Sequence, residues 1–211
     1  MCIMKTQVVQ RMLLYGGMTV PPKFMFTKKE IVAAALNIVR SAGMSGLTAR
    51  ALAAELGCSV KPIFGLFRSM EEVQQEVLAA ADELYQSAIQ AGMSSGKYPP
   101  YKASGMAYIC FAREERELFK LLFMRDRSGE RIEEDREAIR PLLELLQKNL
   151  GVSEDDAYLF HLEMWVYVHG IATMIATSYL DWDNEFVSKV LTDAYAGLKY
   201  RFQEGNDHAG H

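Results

Sequence analysis

The sequence predicts an all-α protein of about nine helices, and three observations carry that reading. Two capping signatures, T-x-x-E at Thr27 and S-x-x-E at Ser69, each open a run of apolar residues at helical spacing. No segment shows a convincing two-residue alternation of apolar and polar side chains, the mark of a half-buried strand. The chain-breaking residues at Gly92 to Pro100, Ser128 to Gly129, Gly151 and Trp182 fall at intervals that suit helices. Half of the 211 residues are apolar, ample for a core.

The first helix is predicted from the Thr27–Glu30 capping box, with Phe26 and Ile31 as a hydrophobic staple. Ile31, Ala34, Ala35, Ile38 and Val39 then line one face, and Gly43 closes the helix. Between Leu47 and Phe67 the sequence LTARALAAELGCSVKPIFGLF reads as two short helices joined by a tight turn. Thr48 caps the first, with Leu47 and Leu52 as its staple, and Gly57 supplies the turn. Ser59 is expected to cap the second, with Pro62 in its first turn, where a missing N–H has no intrahelical partner to lose. Val60, Ile63 and Phe67 should face the core, leaving Lys61, Phe64 and Gly65 outward. Such a hairpin is a helix-turn-helix, and its outward residues are those a DNA major groove would meet.

Downstream, Ser69–Glu72 forms a second predicted capping box, opening a longer helix through Val73, Val77, Leu84 and Ala88. After the loop SSGKYPP at 94–100, residues 101–125 read as one or two helices. Residues 130–150 read as another, started or kinked by Pro141, and 153–203 as two more. Leu159 to Leu180 would be long and apolar enough to span a bilayer, but His161, Glu163 and His169 interrupt it. An unpaired carboxylate in lipid is costly, so a buried helix of a soluble protein is expected. The acidic runs Glu114–Glu117 and Glu133–Asp135 read as solvated helix faces stitched by Arg113, Arg116, Arg131 and Arg136.

Charge divides the chain. Residues 1–70 hold 9 Lys and Arg against 2 Asp and Glu, whereas residues 71–211 hold 14 against 25, within a whole-chain net charge of −4. The positive segment is the one bearing the helical hairpin, which concentrates attraction for phosphate at one end. The expected organisation is an N-terminal extension over 1–24, a helix-turn-helix unit over 25–70, a larger helical body over 71–205 and a tail over 206–211. Cys2, Cys58 and Cys110, odd in number and far apart, give no disulfide framework or metal spacing, and no signal peptide is apparent. A reduced cytoplasm is the expected compartment. No metal or cofactor is expected: His161 and His169 stand eight apart rather than four, and no H-E-x-x-H, phosphate loop or nucleophile elbow occurs. The polar constellation an enzyme needs is not found.

Together, the cap, turn and apolar positions from Lys28 to Val77 resemble the DNA-binding domain of the TetR family of bacterial transcriptional regulators. The matching residues are the first helix with its Gly43 stop, L-T-A-R at 47–50, L-G-C-S at 56–59 and I-F-G-L-F at 63–67. The resemblance implies a homodimer that places one recognition helix per subunit on a palindromic double-stranded DNA operator, with a body that answers a small-molecule effector. The DNA-facing set it implies is Lys28, Thr48, Arg50, Ser59, Lys61, Pro62, Phe64, Gly65 and Arg68. Thr48 and Arg50 suit phosphate or a base edge, Lys61 a guanine, and Phe64 a thymine methyl, while Gly65 permits close backbone approach. Leu66 and Met70 depart from the family pattern, which often carries His and Lys there, so Arg68, Lys28 or Lys29 would supply phosphate grip instead.

A second resemblance lies in the body. YICFAREERELFKLLF at 108–123 and WVYVHG at 165–170 are similar to C-terminal domains of TetR regulators that carry a Trp-His-Gly signature, here Trp165, His169 and Gly170. The family resemblance implies dimerisation through about residues 153–203. From the residues themselves, the methionines and aromatics of the body could line an adaptable apolar cavity, and the expected effector site is bordered by Phe111, Phe119, Phe123, Trp165 and His169, for an unknown small apolar compound. Repression is the more frequent outcome in the family. A DNA-binding regulator with no effector, and a helical enzyme, are the rival classes.

Residues 1–19 fit no helix of that family, and Pro21-Pro22 separates them from Thr27. They read either as a basic arm, with Lys5 and Arg11 joined by Lys23, or as untranslated sequence. Gly16-Gly17 can be encoded as a ribosome-binding sequence, followed by Val20 as a GTG start.

Overall fold

A computed structural model of the chain describes residues 26–128 and 136–208. Among these the secondary structure is helical throughout, with no strand. The elements are α1 (Lys28–Gly46), α2 (Ala49–Glu55), α3 (Lys61–Phe64), α4 (Met70–Ser94), α5 (Pro100–Glu114), α6 (Arg116–Phe123), α7 (Arg140–Leu150), α8 (Glu154–Ala176) and α9 (Asn184–His208). The N-terminal arm expected over 1–24 lies outside the described residues, as do Arg131 and the acidic run Glu133–Asp135.

Local chemistry sets most boundaries. Thr27 Oγ1 accepts the Glu30 N–H at 3.2 Å while the Glu30 carboxylate accepts the Thr27 N–H at 2.7 Å, a complete capping box. Thr48 Oγ1 accepts the Ala51 N–H, and Ser153 Oγ accepts the Asp156 N–H. Gly43 kinks α1 rather than closing it: the residue takes φ 67°, ψ 178°, and the chain adds a last turn to Gly46 before Leu47. Glu115, at φ −119° and ψ 52°, breaks what would be one helix into α5 and α6.

One connected cluster of buried apolar side chains runs through head and body. Ile31, Ala35 and Val39 of α1 share this cluster with Leu52 of α2, Ile63 of α3 and Phe67, and with Val73, Val77 and Ala81 of α4. Farther on, Ile109 of α5, Leu118 and Phe119 of α6, and Phe160 and Ile175 of α8 are fully enclosed. Burying one such side chain contributes on the order of 1.5–3 kcal/mol.

Five local expectations are corrected. Ser59 does not cap α3, which starts after Val60 with no side-chain cap, and both residues are exposed. Val60, at the cap rather than inside the four-residue helix, falls outside its buried stripe, leaving Ile63 and Phe67 to anchor the hairpin. Ser69 does cap α4, but the box is not reciprocal, because the Glu72 carboxylate reaches one residue farther back to the Arg68 N–H at 2.7 Å. On α4, Leu84 points to solvent, and the buried stripe runs through Ala81 to the half-buried Tyr85. Finally, the run Arg113–Glu117 is not a self-stitched solvated face. Only Glu117 pairs locally, with Lys120 at 2.7 Å, while Arg113, Glu115 and Arg116 reach other elements.

By length and composition α8 could cross a membrane. Among the described residues one side of it is covered: Phe160, Met164, Val168 and Ile171 are buried, whereas Leu159, Leu162 and Val166 are exposed.

Candidate functional site

The α2–α3 hairpin is held from below and open above. Leu52, Ile63 and Phe67 are enclosed, so α3 cannot roll without exposing them. The Cys58 N–H donates to Ala53 O at 2.9 Å and the Gly57 N–H to Ala54 O at 3.1 Å, closing the turn, and Gly57 sits at φ 65°. Above this base Ser59, Val60, Lys61, Phe64 and Gly65 are exposed, and Pro62 is half-buried at the start of α3. Phe64 and Val60, one helical turn apart, show 45% and 42% of their surface, which is unusual for side chains that elsewhere in the head fill the core.

The positive groups of the head fall into two kinds. Lys29, Arg50 and Lys61 are exposed and make no hydrogen bond or ion pair with described residues, so their charge is available to a partner. Lys28 is committed: its Nζ pairs with Glu72 Oε1 at 2.8 Å and lies 4.8 Å from the Phe67 ring centre. The Arg68 N–H and then the Lys28 ammonium hold the Glu72 carboxyl below its usual pKa. Lys28 is thus a brace from α1 to the start of α4. Thr48 is exposed at the first turn of α2, its hydroxyl oxygen occupied by the cap. Arg68 is exposed just past α3.

In the body the five aromatic candidates come together around two tyrosines. Tyr85 packs edge-on against Tyr108, Phe111 and Phe123, with ring centres 5.0–5.8 Å apart. Phe119 lies 5.1 Å from Phe123 and 6.1 Å from His169. Trp165 stacks on His169 at 4.8 Å and 16°, and is 40% exposed. His169 Nδ1 shares a 2.9 Å hydrogen bond with the Tyr108 hydroxyl, and Nε2 lies 3.4 Å from Thr173 Oγ1. Burial, and then the positive Arg127, lower the pKa of His169, so the imidazole is neutral and both nitrogens have partners. Rings fill this region, with Phe111, Phe119 and Tyr108 buried. Tyr85 escaped sequence reasoning, although its place on the Val73–Val77–Ala81 stripe marks it as inward.

A second pair repeats the pattern along the same two helices: the Tyr101 hydroxyl lies 3.1 Å from His161 Nδ1, and burial lowers the pKa of His161 to about 4. Among the described residues no cluster of His, Cys, Asp or Glu is arranged to hold a metal ion. An open cleft of about 220 Å³ between Arg136, Arg140, Glu144 and Glu154 stands away from the aromatic cluster and is lined mainly by charged and polar side chains.

Residues 101–194 match the family described as the tetracyclin repressor-like C-terminal domain. No curated protein matches the sequence. Among solved structures the chain is similar to a TetR-like transcriptional regulator from Rhodococcus sp. RHA1, with TM-score 0.58 and 15% identity over 84% of this chain and 96% of that one. It is also similar to a putative TetR family regulator from Vibrio parahaemolyticus, with TM-score 0.56 and 18% identity over 81% and 97%. A TetR family member from Streptomyces coelicolor gives TM-score 0.55 and 19% identity over 79% and 96%. At such identities the likeness is one of fold. Residues 101–194 are thus similar to a tetracyclin repressor-like C-terminal domain, and the chain as a whole shares the all-α fold of these TetR-like regulators.

Proposed function

We propose that the chain is a cytoplasmic, DNA-binding transcriptional regulator rather than an enzyme, acting as a homodimer and repressing from a palindromic operator until a small molecule releases it. The observation that carries the reading is the head: a capped, anchored hairpin presenting Lys61, Phe64 and Gly65, with Arg50 and Lys29 uncommitted nearby in sequence. Cations of this kind contribute phosphate attraction, and the exposed α3 side chains contribute base contacts. Thr48, Ser59, Pro62 and Arg68 complete the contact surface, and Lys28 acts through its brace to Glu72. The uncovered face of α8, with Leu159, Leu162 and Val166 exposed, supports pairing with a second copy through about residues 153–203. Two recognition helices would then enter successive major grooves about 34–36 Å apart.

The effector reading rests on Phe111, Phe119, Phe123, Trp165 and His169. An apolar compound with one polar group would have to displace rings that now fill the cluster, exchanging the Tyr108–His169 hydrogen bond for its own. Release of DNA requires that the compound favour one head spacing over another, and a coupling of about 1–3 kcal/mol is typical. The filled cluster favours a second reading, a regulator that binds DNA without an effector, and ligand-induced shifts in melting temperature across a compound library separate the two. DNase footprinting of purified protein on the DNA flanking its own gene, at a stated salt concentration, tests the function. A protected palindrome with half-sites about one turn apart is expected; no specific site, there or in a selection from genomic DNA, refutes DNA binding.

A further inference from the structure

We infer that Arg40 and Glu115 are positioning residues for the DNA-contacting head: their paired side chains fix α1, and with it the α2–α3 hairpin, to the corner where α5 breaks into α6. The inference rests on the DNA-binding reading and extends it to residues that set the head's orientation from outside the contact surface.

The pair is a two-point fork. Arg40 Nε donates to Glu115 Oε2 and Nη2 to Oε1, both at 2.8 Å, across 75 positions of sequence. Two parallel hydrogen bonds between planar groups set angle as well as distance, which a lysine ammonium would not do. Glu115 is itself fixed, because it is the break residue and its N–H donates to Phe111 O at 2.8 Å. Its neighbours tie the same corner to the loop between α8 and α9 and to the first residue of α9. Arg113 donates to Asn184 Oδ1 at 3.1 Å and to the Trp182 carbonyl, and Arg116 Nη1 donates to Ser178 Oγ at 2.9 Å. Three of four consecutive residues, Arg113, Glu115 and Arg116, thus grip the head on one side and the α8–α9 connection on the other.

The α1 backbone comes close at this joint. A Cβ on Gly43 would stand 3.1 Å from Glu117 Oε2, so the kink leaves little room beside the first turn of α6. From Gly46 only Leu47 and Thr48 intervene before α2, so α1 carries the hairpin with little slack. α6 also presents Phe119 and Phe123 to the aromatic cluster, which places the corner between that cluster and the head. The paired side chains are 38% and 26% exposed, a setting in which an ion pair adds little to global stability, so its consequence is geometric.

The test uses the full-length protein with Arg40→Ala, Glu115→Gln, Arg40→Lys and the exchanged double variant Arg40→Glu/Glu115→Arg. Nitroxide labels on exposed Glu55 of α2 and Gln90 of α4, in a background with the cysteines replaced by serine and diluted with unlabelled protein, report head position by electron–electron distance measurement. One narrow distance is expected for the unaltered pair and for the exchange, and a broadened or shifted one for Arg40→Ala, Glu115→Gln and, to a lesser degree, Arg40→Lys. In parallel, binding is measured to the selected operator and to duplexes with half-site separation changed by one and two base pairs. The single variants should lose about tenfold in preference for the native separation, with melting temperatures near the parent's, and the exchange should recover most of it. Distance distributions unchanged by Arg40→Ala overturn the positioning role, as does a uniform loss at every separation that the exchange does not recover. If the parent selects no DNA, the DNA-binding reading fails while the distance measurement still decides the joint.

Discussion

Alanine at Gly43 and alanine at Gly57 look alike in sequence, since both remove a glycine from a helix end, yet the structure gives them different costs. Gly43 lies at φ 67°, ψ 178°, a region that side-chain-bearing residues almost never occupy, worth about 1–3 kcal/mol of strain. A Cβ there also meets Glu117 Oε2 at 3.1 Å, and that carboxylate is held at 2.7 Å by Lys120 but can swing away. Restricting the unfolded chain offsets about 0.4–1 kcal/mol of this, as for any Gly→Ala change, so the total expected for Gly43→Ala is about 1–2.5 kcal/mol. At Gly57, φ is 65° and a Cβ meets nothing within 4 Å. Strain at positive φ costs roughly 1–2 kcal/mol there. Restricting the unfolded chain offsets about 0.4–1 kcal/mol of that, leaving about 1 kcal/mol or less. Urea denaturation followed by far-ultraviolet circular dichroism measures both, provided the slopes match. For a chain of this length 1 kcal/mol corresponds to about 2–4 °C, so Gly43→Ala should melt several degrees below Gly57→Ala. Equal losses, or a larger loss for Gly57→Ala, would refute the assignment of Gly43 to a glycine-only conformation at the head–body joint.

On the proposed DNA-binding reading, exposed Phe64 and Val60 are expected to meet thymine methyl groups. Deoxyuridine in place of a contacted thymine should weaken binding about tenfold, Phe64→Ala should abolish the difference, and an operator indifferent to every such replacement would rule the contact out. Leu162→Glu with Val166→Glu should convert the protein to monomer by light scattering and abolish operator binding while leaving the fold intact; a dimer that persists places the interface elsewhere. Burial lowers the pKa of His161 from 6.5 to about 4, so the unfolded chain takes up that proton first as pH falls. The stabilisation from its neutral state is complete above about pH 6.5 and is lost progressively toward pH 4, at about 1.4 kcal/mol per pH unit within the window. Urea midpoints between pH 5 and 7 should therefore fall less steeply for His161→Phe than for the parent, and parallel profiles would contradict this. Truncating the fully enclosed Phe119 to alanine should cost about 3–5 kcal/mol, read in the same assay, with a cost below about 1 kcal/mol implying an already open site.

Much of this molecule was legible in its order of residues, because the signals concerned are local. The Thr27–Glu30 box, the Thr48 cap and the Gly57 turn are satisfied within a few positions of themselves, and the backbone groups they satisfy are the same in any surroundings. The all-α class and the spacing of helices follow from that and from the 3.6-residue period. What tertiary structure decided is which of two equivalent apolar or charged residues turns inward. Val60 and Leu84 have the composition of core residues and are exposed, because α3 is only four residues long and α4 packs through Ala81 and Tyr85. The charges of Arg113–Glu117 spell an ordinary solvated face, and their partners, Arg40, Ser178, Trp182 and Asn184, stand 62–75 positions away. A guanidinium binds whichever carboxylate the fold carries to it, and sequence spacing records only partners within one or two helical turns.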